Sequence, residues 1–232
     1  MTGAAGSTPW RQRLRRLRRV AWLGTARRTS PFSDRWGFDR GTPIDRYYIE
    51  SFLARHRGDI RGRVLEMGDS RYTDRFGAGV TASDVLDVDA SNERATVVAD
   101  LEQPEALEEG TYDCFILVQT LQYVYDVAAA VRTAHRLLRP NGVVLMTVPS
   151  VSRIARSAGL DGDFWRFTAA SCRTLLGTEF SATSIDVQAF GNVLTGASFL
   201  LGLACEDLTR RELDVVDPWF PVVVAARAVK HP

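Results

Sequence analysis

The chain has 232 residues, 45% of them hydrophobic and 25% charged, with a formal net charge of +1. This is enough apolar material for one ordinary α/β domain, and it excludes a disordered, collagen-like or strongly basic composition. Cys114, Cys172 and Cys205 are scattered, and His56, His135 and His231 have no ligand spacing, which argues against a disulfide framework and against a metal site.

The small net charge conceals an uneven distribution. Eight arginines fall between Arg11 and Arg28, and no acid precedes Asp34. Residues 29–232 then carry 21 basic side chains (29 less those eight) against 28 acidic ones, a formal charge of −7. Lys230 is the only lysine, which reads as the codon bias of a GC-rich bacterium. Residues 1–9 are small and polar, and Trp10, Leu14, Leu17 and Ala21 recur at helical spacing among the arginines. Residues 1–30 therefore read as a basic arm, partly disordered or helical. Such an arm can touch an anionic membrane surface or a protein partner between Arg11 and Arg28, or fold back on the domain. Arg18-Arg19-Val20-Ala21 is a faint export pattern, but Arg27-Arg28 interrupt the apolar run that must follow it. The apolar run over residues 193–205 falls short of the ~20 residues of a bilayer crossing. The expected location is the cytoplasm, with membrane association through the arm as one alternative. The negative body argues against a nucleic-acid partner.

Residues 31–43 form a turn-rich loop, after which Ile44, Tyr47, Tyr48, Phe52 and Leu53 mark one face of a helix ending near Gly58. The pattern then predicts strand 63–68, a short helix near 72–77, strands 83–89 and 95–100, and an acidic connector containing Pro104. Strand 112–119, helix 126–138, a turn at Pro140-Asn141-Gly142 and strand 143–148 follow. After Pro149 come a loop, a helix capped by Thr168 and running to about Leu176, strand 184–190, helix 193–204 and strand 221–229. Continuous apolar runs without alternation imply strands buried on both faces. Seven strands with interleaved helices make residues 31–232 one doubly wound α/β domain.

Three of these strands deliver an acid at their C-terminal ends: Glu66, then Asp87 and Asp89, then Asp100. That edge of an open α/β sheet is where ligands bind, beside the point where strand order reverses. Carboxylates there accept hydrogen bonds from ribose hydroxyls and adenine nitrogens. The chemistry indicated is nucleoside-cofactor binding.

From about residue 35 onward the chain resembles the S-adenosylmethionine-dependent class I methyltransferases, in particular the type 11 methyltransferase-domain group. The likeness is carried by VLEMG at the first strand, DVLDVD at the second, VADL at the third, YDCFILVQTLQYVYD at the fourth, and HRLLRPNGVVLMTVPS across the following helix, turn and strand. WGFDRGTPIDRYYIE and DFWRFT also resemble a bacterial subgroup met in polysaccharide and secondary-metabolite pathways. The resemblance implies a Rossmann-like, mostly parallel seven-stranded sheet with an antiparallel last strand, S-adenosylmethionine as cofactor, and methyl transfer to a small molecule or glycan, with oxygen as the accepting atom. It further implies that Gly68 lets the cofactor approach the backbone and that Glu66 orients the methionine ammonium. Asp89, with Asp87 in reserve, takes the ribose hydroxyls, Asp100 with the Leu101 N–H holds adenine, and Gln119 ends the strand nearest the methionine part. Arg40 or Arg46 is a partner for the cofactor carboxylate, or for neighbouring Asp39 and Asp45.

The family loop has the form acid-x-Gly-x-Gly-x-Gly, and here Ser70 and Tyr72 replace the second and third glycines. Two readings follow. In one the loop takes another path, with Asp69 or Ser70 hydrogen-bonding the cofactor, and the protein is an enzyme. In the other it is a non-catalytic, methyltransferase-like accessory protein that docks a partner through its arm. A nicotinamide-dependent dehydrogenase needs G-x-G-x-x-G, of which Gly68-Asp69-Ser70-Arg71-Tyr72-Thr73 supplies only the first glycine. No histidine is suited to serve as general base, which leaves Asp163 and Asp126 as candidates. Tyr47, Tyr48, Trp165 and Arg166 are candidates to line the acceptor pocket.

Overall fold

A computed structural model of the chain describes residues 24, 27–103 and 107–232. The helical reading of residues 10–21 and the connector around Pro104 lie outside these residues. Phe32–Pro232 forms one compact unit. No helix among the described residues is long and apolar enough to cross a membrane.

Seven strands form one sheet: β1 (Gly62–Met67), β2 (Val80–Asp87), β3 (Val97–Val98), β4 (Tyr112–Val118), β5 (Leu138–Pro149), β6 (Ile185–Phe190) and β7 (Val223–Val229). Their spatial order is β3-β2-β1-β4-β5-β7-β6. Every pairing is parallel except those of β7, which runs antiparallel to both β5 and β6. The chain leaves β1 toward β2 and β3, then returns across β1 to lay down β4. The reversal of order between β1 and β4 opens a crevice at their C-terminal ends.

The central strands are covered on both sides, and successive residues alternate between two cores. Leu65, Phe115, Leu117, Val144 and Met146 pack with helix α3 (Val127–Leu137) and helix α4 (Ala169–Leu176). Val64, Cys114, Ile116, Val143 and Leu145 pack on the other face with helix α1 (Ile44–Arg55), whose Ile44, Tyr48, Ile49, Phe52 and Leu53 are buried. Helix α2 (Arg71–Phe76) follows β1, helix α5 (Val193–Leu200) follows β6, and helix α6 (Arg210–Asp214) precedes β7. Asp126 caps α3 by accepting from the Ala129 N–H at 2.9 Å, Thr168 forms a capping box with Ser171, and Asn192 accepts from Leu194 and Thr195.

Three elements depart from the sequence pattern. The strand expected over residues 95–100 pairs only at Val97–Val98, because it is a half-exposed edge. The expected turn at Pro140-Asn141-Gly142 lies inside β5 as an irregularity: Asn141 takes φ +66°, and the register shifts between Tyr112↔Leu138 and Cys114↔Val143. The helix expected over 193–204 stops at Leu200, since Gly202 takes φ +73° and a Cβ there would lie 2.0 Å from the Ser33 carbonyl oxygen. Helix α6, which the sequence reading missed, is announced by its own capping box between Thr209 and Glu212.

Phe115 is fully buried in the central strand. Phe115→Ala is expected to cost about 3–5 kcal/mol in urea denaturation. A loss under about 1 kcal/mol would mean that the two-layer core is not packed as described.

Candidate active site

Gly68 ends β1 in the left-handed region at φ +76°, and nothing lies within 4 Å of the position a Cβ would take. Its N–H donates to the Leu86 carbonyl at 2.9 Å. Its own carbonyl accepts from Asn92 Nδ2 at 2.7 Å, and the same amide donates to Asp87 Oδ2 at 2.7 Å. Asn92 thus ties the loop after β1 to the end of β2.

Around that loop Gly68, Asp87, Asp89, Asp100, Leu101 and Gln119 line a single crevice of about 770 Å³. This volume lies within the ~300–1,000 Å³ of small-molecule sites. Asp87 accepts from the Asp89 N–H at 3.0 Å as well as from Asn92, so both its oxygens are engaged. Asp89 is exposed, and the Ser91 N–H and hydroxyl hold its carboxyl below the usual aspartate range. Asp100 accepts from the Glu102 N–H at 2.8 Å, while Leu101 is buried and its carbonyl accepts from the Thr133 hydroxyl at 2.8 Å. Thr120, Tyr123, Glu102 and Ser157 also line the crevice and were not singled out from the sequence.

Glu66 lies elsewhere. It is 1% exposed, and its oxygens accept from the Tyr72 N–H at 3.0 Å, the Thr73 N–H at 2.7 Å and the Thr73 hydroxyl at 2.7 Å. It anchors the N-terminus of α2 rather than lining the crevice. Burial pushes its carboxyl above the usual range, against the pull of those hydrogen bonds. Asp69 also turns away, accepting from Arg71 Nε at 2.7 Å. The glycine replacements are accommodated without strain. Ser70 has φ −104°, and Tyr72 sits inside a helix, buried, with its hydroxyl against Arg46. Only the first glycine position, Gly68, needs a left-handed backbone.

A second cavity, of about 210 Å³, adjoins the crevice and shares Gln119 and Tyr123 with it. Trp36, Asp45, Arg46, Gln122, Arg153 and the Asp163–Arg166 pair are among its walls. Of the acceptor-pocket candidates only Arg166 lies here. Tyr47 and Tyr48 point toward α6, where their hydroxyls meet Asp214 and the Leu213 carbonyl. Trp165 donates to the Val124 carbonyl at 2.9 Å and lines neither space. Arg40 pairs with Asp207 at 2.7 Å, away from both. Of the two candidate bases, Asp126 is occupied as the α3 cap. Asp163 is clamped by Arg166 at 2.6 and 3.2 Å and by the Ala155 N–H at 2.9 Å. Burial opposes its ionisation, but these partners outweigh burial and hold its carboxyl low, which suits a strut and not a proton acceptor.

The sheet order and the acid-lined crevice at its switch point define a class of α/β proteins that bind a nucleoside cofactor. Residues 68–146, about a third of the chain, match the family described as "Methyltransferase domain". Solved structures with a similar fold include an S-adenosylmethionine-dependent methyltransferase from Archaeoglobus fulgidus, at 12% identity and TM-score 0.53, covering 80% of this chain and 94% of that one. Another is a phosphoethanolamine N-methyltransferase of Haemonchus contortus in complex with S-adenosyl-L-methionine, at 14% identity and TM-score 0.56, covering 80% and 53%. The [4+2]-cyclase SpnF, at 14% identity and TM-score 0.54, covers 83% of each chain. No curated protein matches the chain. Over residues 68–146 the chain thus resembles a methyltransferase domain, and its fold is shared by S-adenosylmethionine-dependent methyltransferases, one of them solved with S-adenosyl-L-methionine bound. The crevice fits that group: the open Cβ space at Gly68 admits a close backbone approach, and the exposed Asp89 carboxylate is available to paired hydroxyls.

Glu66→Ala would leave two buried backbone donors of α2 without acceptors, a cost on the order of 2–4 kcal/mol. The expected readout is lower stability in denaturation and lost hydrogen-exchange protection at Tyr72 and Thr73. Retained protection at those amides would show that another group holds the helix end.

Proposed function

We propose that the protein is an S-adenosylmethionine-dependent methyltransferase that acts on a hydroxyl oxygen of a small molecule or glycan unit seated in the second cavity. The observation that carries this reading is the shared wall: Gln119 and Tyr123 face both the cofactor crevice and the smaller cavity. Bound in the crevice, S-adenosylmethionine supplies a methyl group activated by its sulfonium. The chain's own work is then to hold the acceptor in line and to remove its proton. Asp89 receives the ribose hydroxyls, Asp100 and Leu101 the adenine, and Gly68 the methionine part. Asp45, in the first turn of α1, receives the proton of the acceptor hydroxyl. Its Oδ1 is shielded from solvent, has no hydrogen-bond partner, and belongs to a residue lining the cavity. Burial raises its pKa above the usual aspartate value of 3.8, against the pull of Arg46. A proton acceptor whose pKa moves toward the working pH is a better general base.

The test of cofactor binding is calorimetry with S-adenosylhomocysteine, supported by a rise in melting temperature at millimolar ligand. Asp89→Ala is expected to weaken binding at least about tenfold, the effect of losing a charge-assisted hydrogen-bond pair. Unchanged affinity would assign the ribose to another acid. The absence of any binding or stabilisation in the unsubstituted chain would favour the accessory reading.

Asp45 makes a separate prediction, with a defined sign. A carboxyl whose folded pKa is raised above its unfolded value costs stability at neutral pH, and that cost vanishes below about 3.8, where both states are protonated. Asp45→Asn is therefore expected to raise the melting temperature at pH 7, to change it little near pH 3.8, and to lower methyl transfer by ~10² or more. Lower stability at pH 7 would mean that the carboxylate is structurally paired.

A further inference from the structure

The smaller cavity holds an unusual concentration of unsatisfied polarity. Among the described residues, the shielded side-chain atoms without a hydrogen-bond partner are Asp45 Oδ1, Arg46 Nε, His56 Nε2, Gln119 Nε2, Gln122 Oε1, Thr147 Oγ1 and Arg153 Nε. All but the His56 and Thr147 atoms belong to residues lining this cavity. Buried polar groups are normally paired, and leaving one unpaired carries the full cost of desolvation. Such a cluster around one space points to a ligand that satisfies it.

Backbone strain converges on the same place. Among the described residues, the non-glycine positions with positive φ are Trp36 at 55°, Gln119 at 49° and Asn141 at 66°. Trp36 and Gln119 both line the cavity. A bulky residue in the left-handed region is a rare, costly conformation that the surroundings must hold in place. Trp36 is held by its indole N–H donating to Ser152 Oγ at 3.3 Å, and the next residue, Gly37, packs so closely that a Cβ would lie 2.8 Å from the Leu203 carbonyl oxygen.

The charges specify the ligand further. Arg46, Arg153 and Arg166 face Asp45 and Asp163, and Asp163 is neutralised by Arg166. Among the described residues neither Arg46 nor Arg153 has a carboxylate in ion-pair contact, and the Arg153 guanidinium lies 3.6 Å over the Trp36 ring. An amine would meet net positive charge, whereas an anion is welcomed. The unpaired acceptors, Asp45 Oδ1 and Gln122 Oε1, call for ligand hydroxyls, and the unpaired donors on Gln119, Arg46 and Arg153 call for ligand oxygens. These groups come from α1, the end of β4 and the loop after β5, so they ring the space on several sides. A flat molecule with two polar ends would leave some of them unpaired. A volume of about 210 Å³ holds roughly seven water-sized groups, enough for one substituted ring.

From this the geometry points to a sugar acid as the acceptor: a polyhydroxylated ring whose carboxylate is held by Arg153 and one of whose hydroxyls is presented to Asp45. The inference rests on the methyltransferase reading above and names the substrate class for its second cavity.

The test uses the full chain saturated with S-adenosylhomocysteine, whose own binding is read first. Calorimetric titrations then compare D-glucuronate with D-glucose, inorganic phosphate, 4-hydroxybenzoate and ethanolamine. D-glucuronate is expected to bind at least about tenfold more tightly than each of the others, and Arg153→Ala is expected to remove that preference while leaving S-adenosylhomocysteine affinity within about twofold. Arg153→Gln serves as the second variant should Arg153→Ala melt early, with the same expectation. Equal binding of glucuronate and glucose, tighter binding of phosphate or 4-hydroxybenzoate, or no sugar-acid binding beside normal S-adenosylhomocysteine binding each overturns the proposal and leaves the methyltransferase reading standing. Absence of S-adenosylhomocysteine binding overturns both.

Discussion

The parallel pairing of β1 with β4 is the constraint from which the site follows. These strands are consecutive in space but separated in sequence by α2, β2 and β3, so the chain must double back across the sheet to bring Val64 beside Cys114 and Glu66 beside Ile116. Because both strands are buried on both faces, a slip of one residue would exchange the two cores. The register is therefore fixed by packing. With it are fixed the relative positions of Gly68, just beyond one strand, and Gln119, just beyond the other. The chain departs from these two strand ends to opposite faces of the sheet, and the crevice opens between them.

Glu66 and Asp45 show how similar chemistry is put to different use. In both residues burial raises the carboxyl pKa. Glu66 receives three hydrogen bonds from α2, and its charge anchors the helix end that shapes the cofactor loop. Asp45 keeps a shielded oxygen with no partner, on a residue that lines a cavity. A fully satisfied buried acid stabilises a fold. One left unsatisfied lowers stability and stays available for chemistry, which is the usual trade at an active site.

The acid-lined crevice is legible in the sequence because it is local. Each acid follows a short apolar strand, and the strand end itself places the carboxylate on the ligand edge, so Asp87, Asp89 and Asp100 gather round Gly68 in one crevice. Glu66 obeys the same pattern but lies at the end of β1, just before α2, where the helix N–H groups claim it first. That competition depends on three-dimensional contact and leaves no mark in strand periodicity. The second cavity is built from distant pieces: Trp36 and Ser152 meet across 116 positions. Aromatic residues in the sequence thus mislead by proximity in type, and Tyr47, Tyr48 and Trp165 are drawn into packing and backbone contacts instead. The strained backbones of Trp36 and Gln119 have no composition signal either, since neither residue favours the left-handed region.

The same distribution of charge bears on which atom accepts the methyl group. A fold shared with an N-methyltransferase from Haemonchus contortus and with a cyclase does not choose among reactions. The proposed hydroxyl acceptor rests instead on the electrostatics of the cavity walls. A protonated amine in a space bounded by Arg46, Arg153 and Arg166 would be repelled, and Asp45 alone would have to compensate, with Asp163 already committed to Arg166. A hydroxyl enters neutral and needs only that its proton be taken as the bond to carbon forms. A shielded carboxylate with an open oxygen meets that need, and the arginines beside it favour the negative charge that gathers on the acceptor oxygen along the way. Oxygen as the accepting atom is thus the chemistry for which both the positive walls and the unpaired Asp45 oxygen have a use.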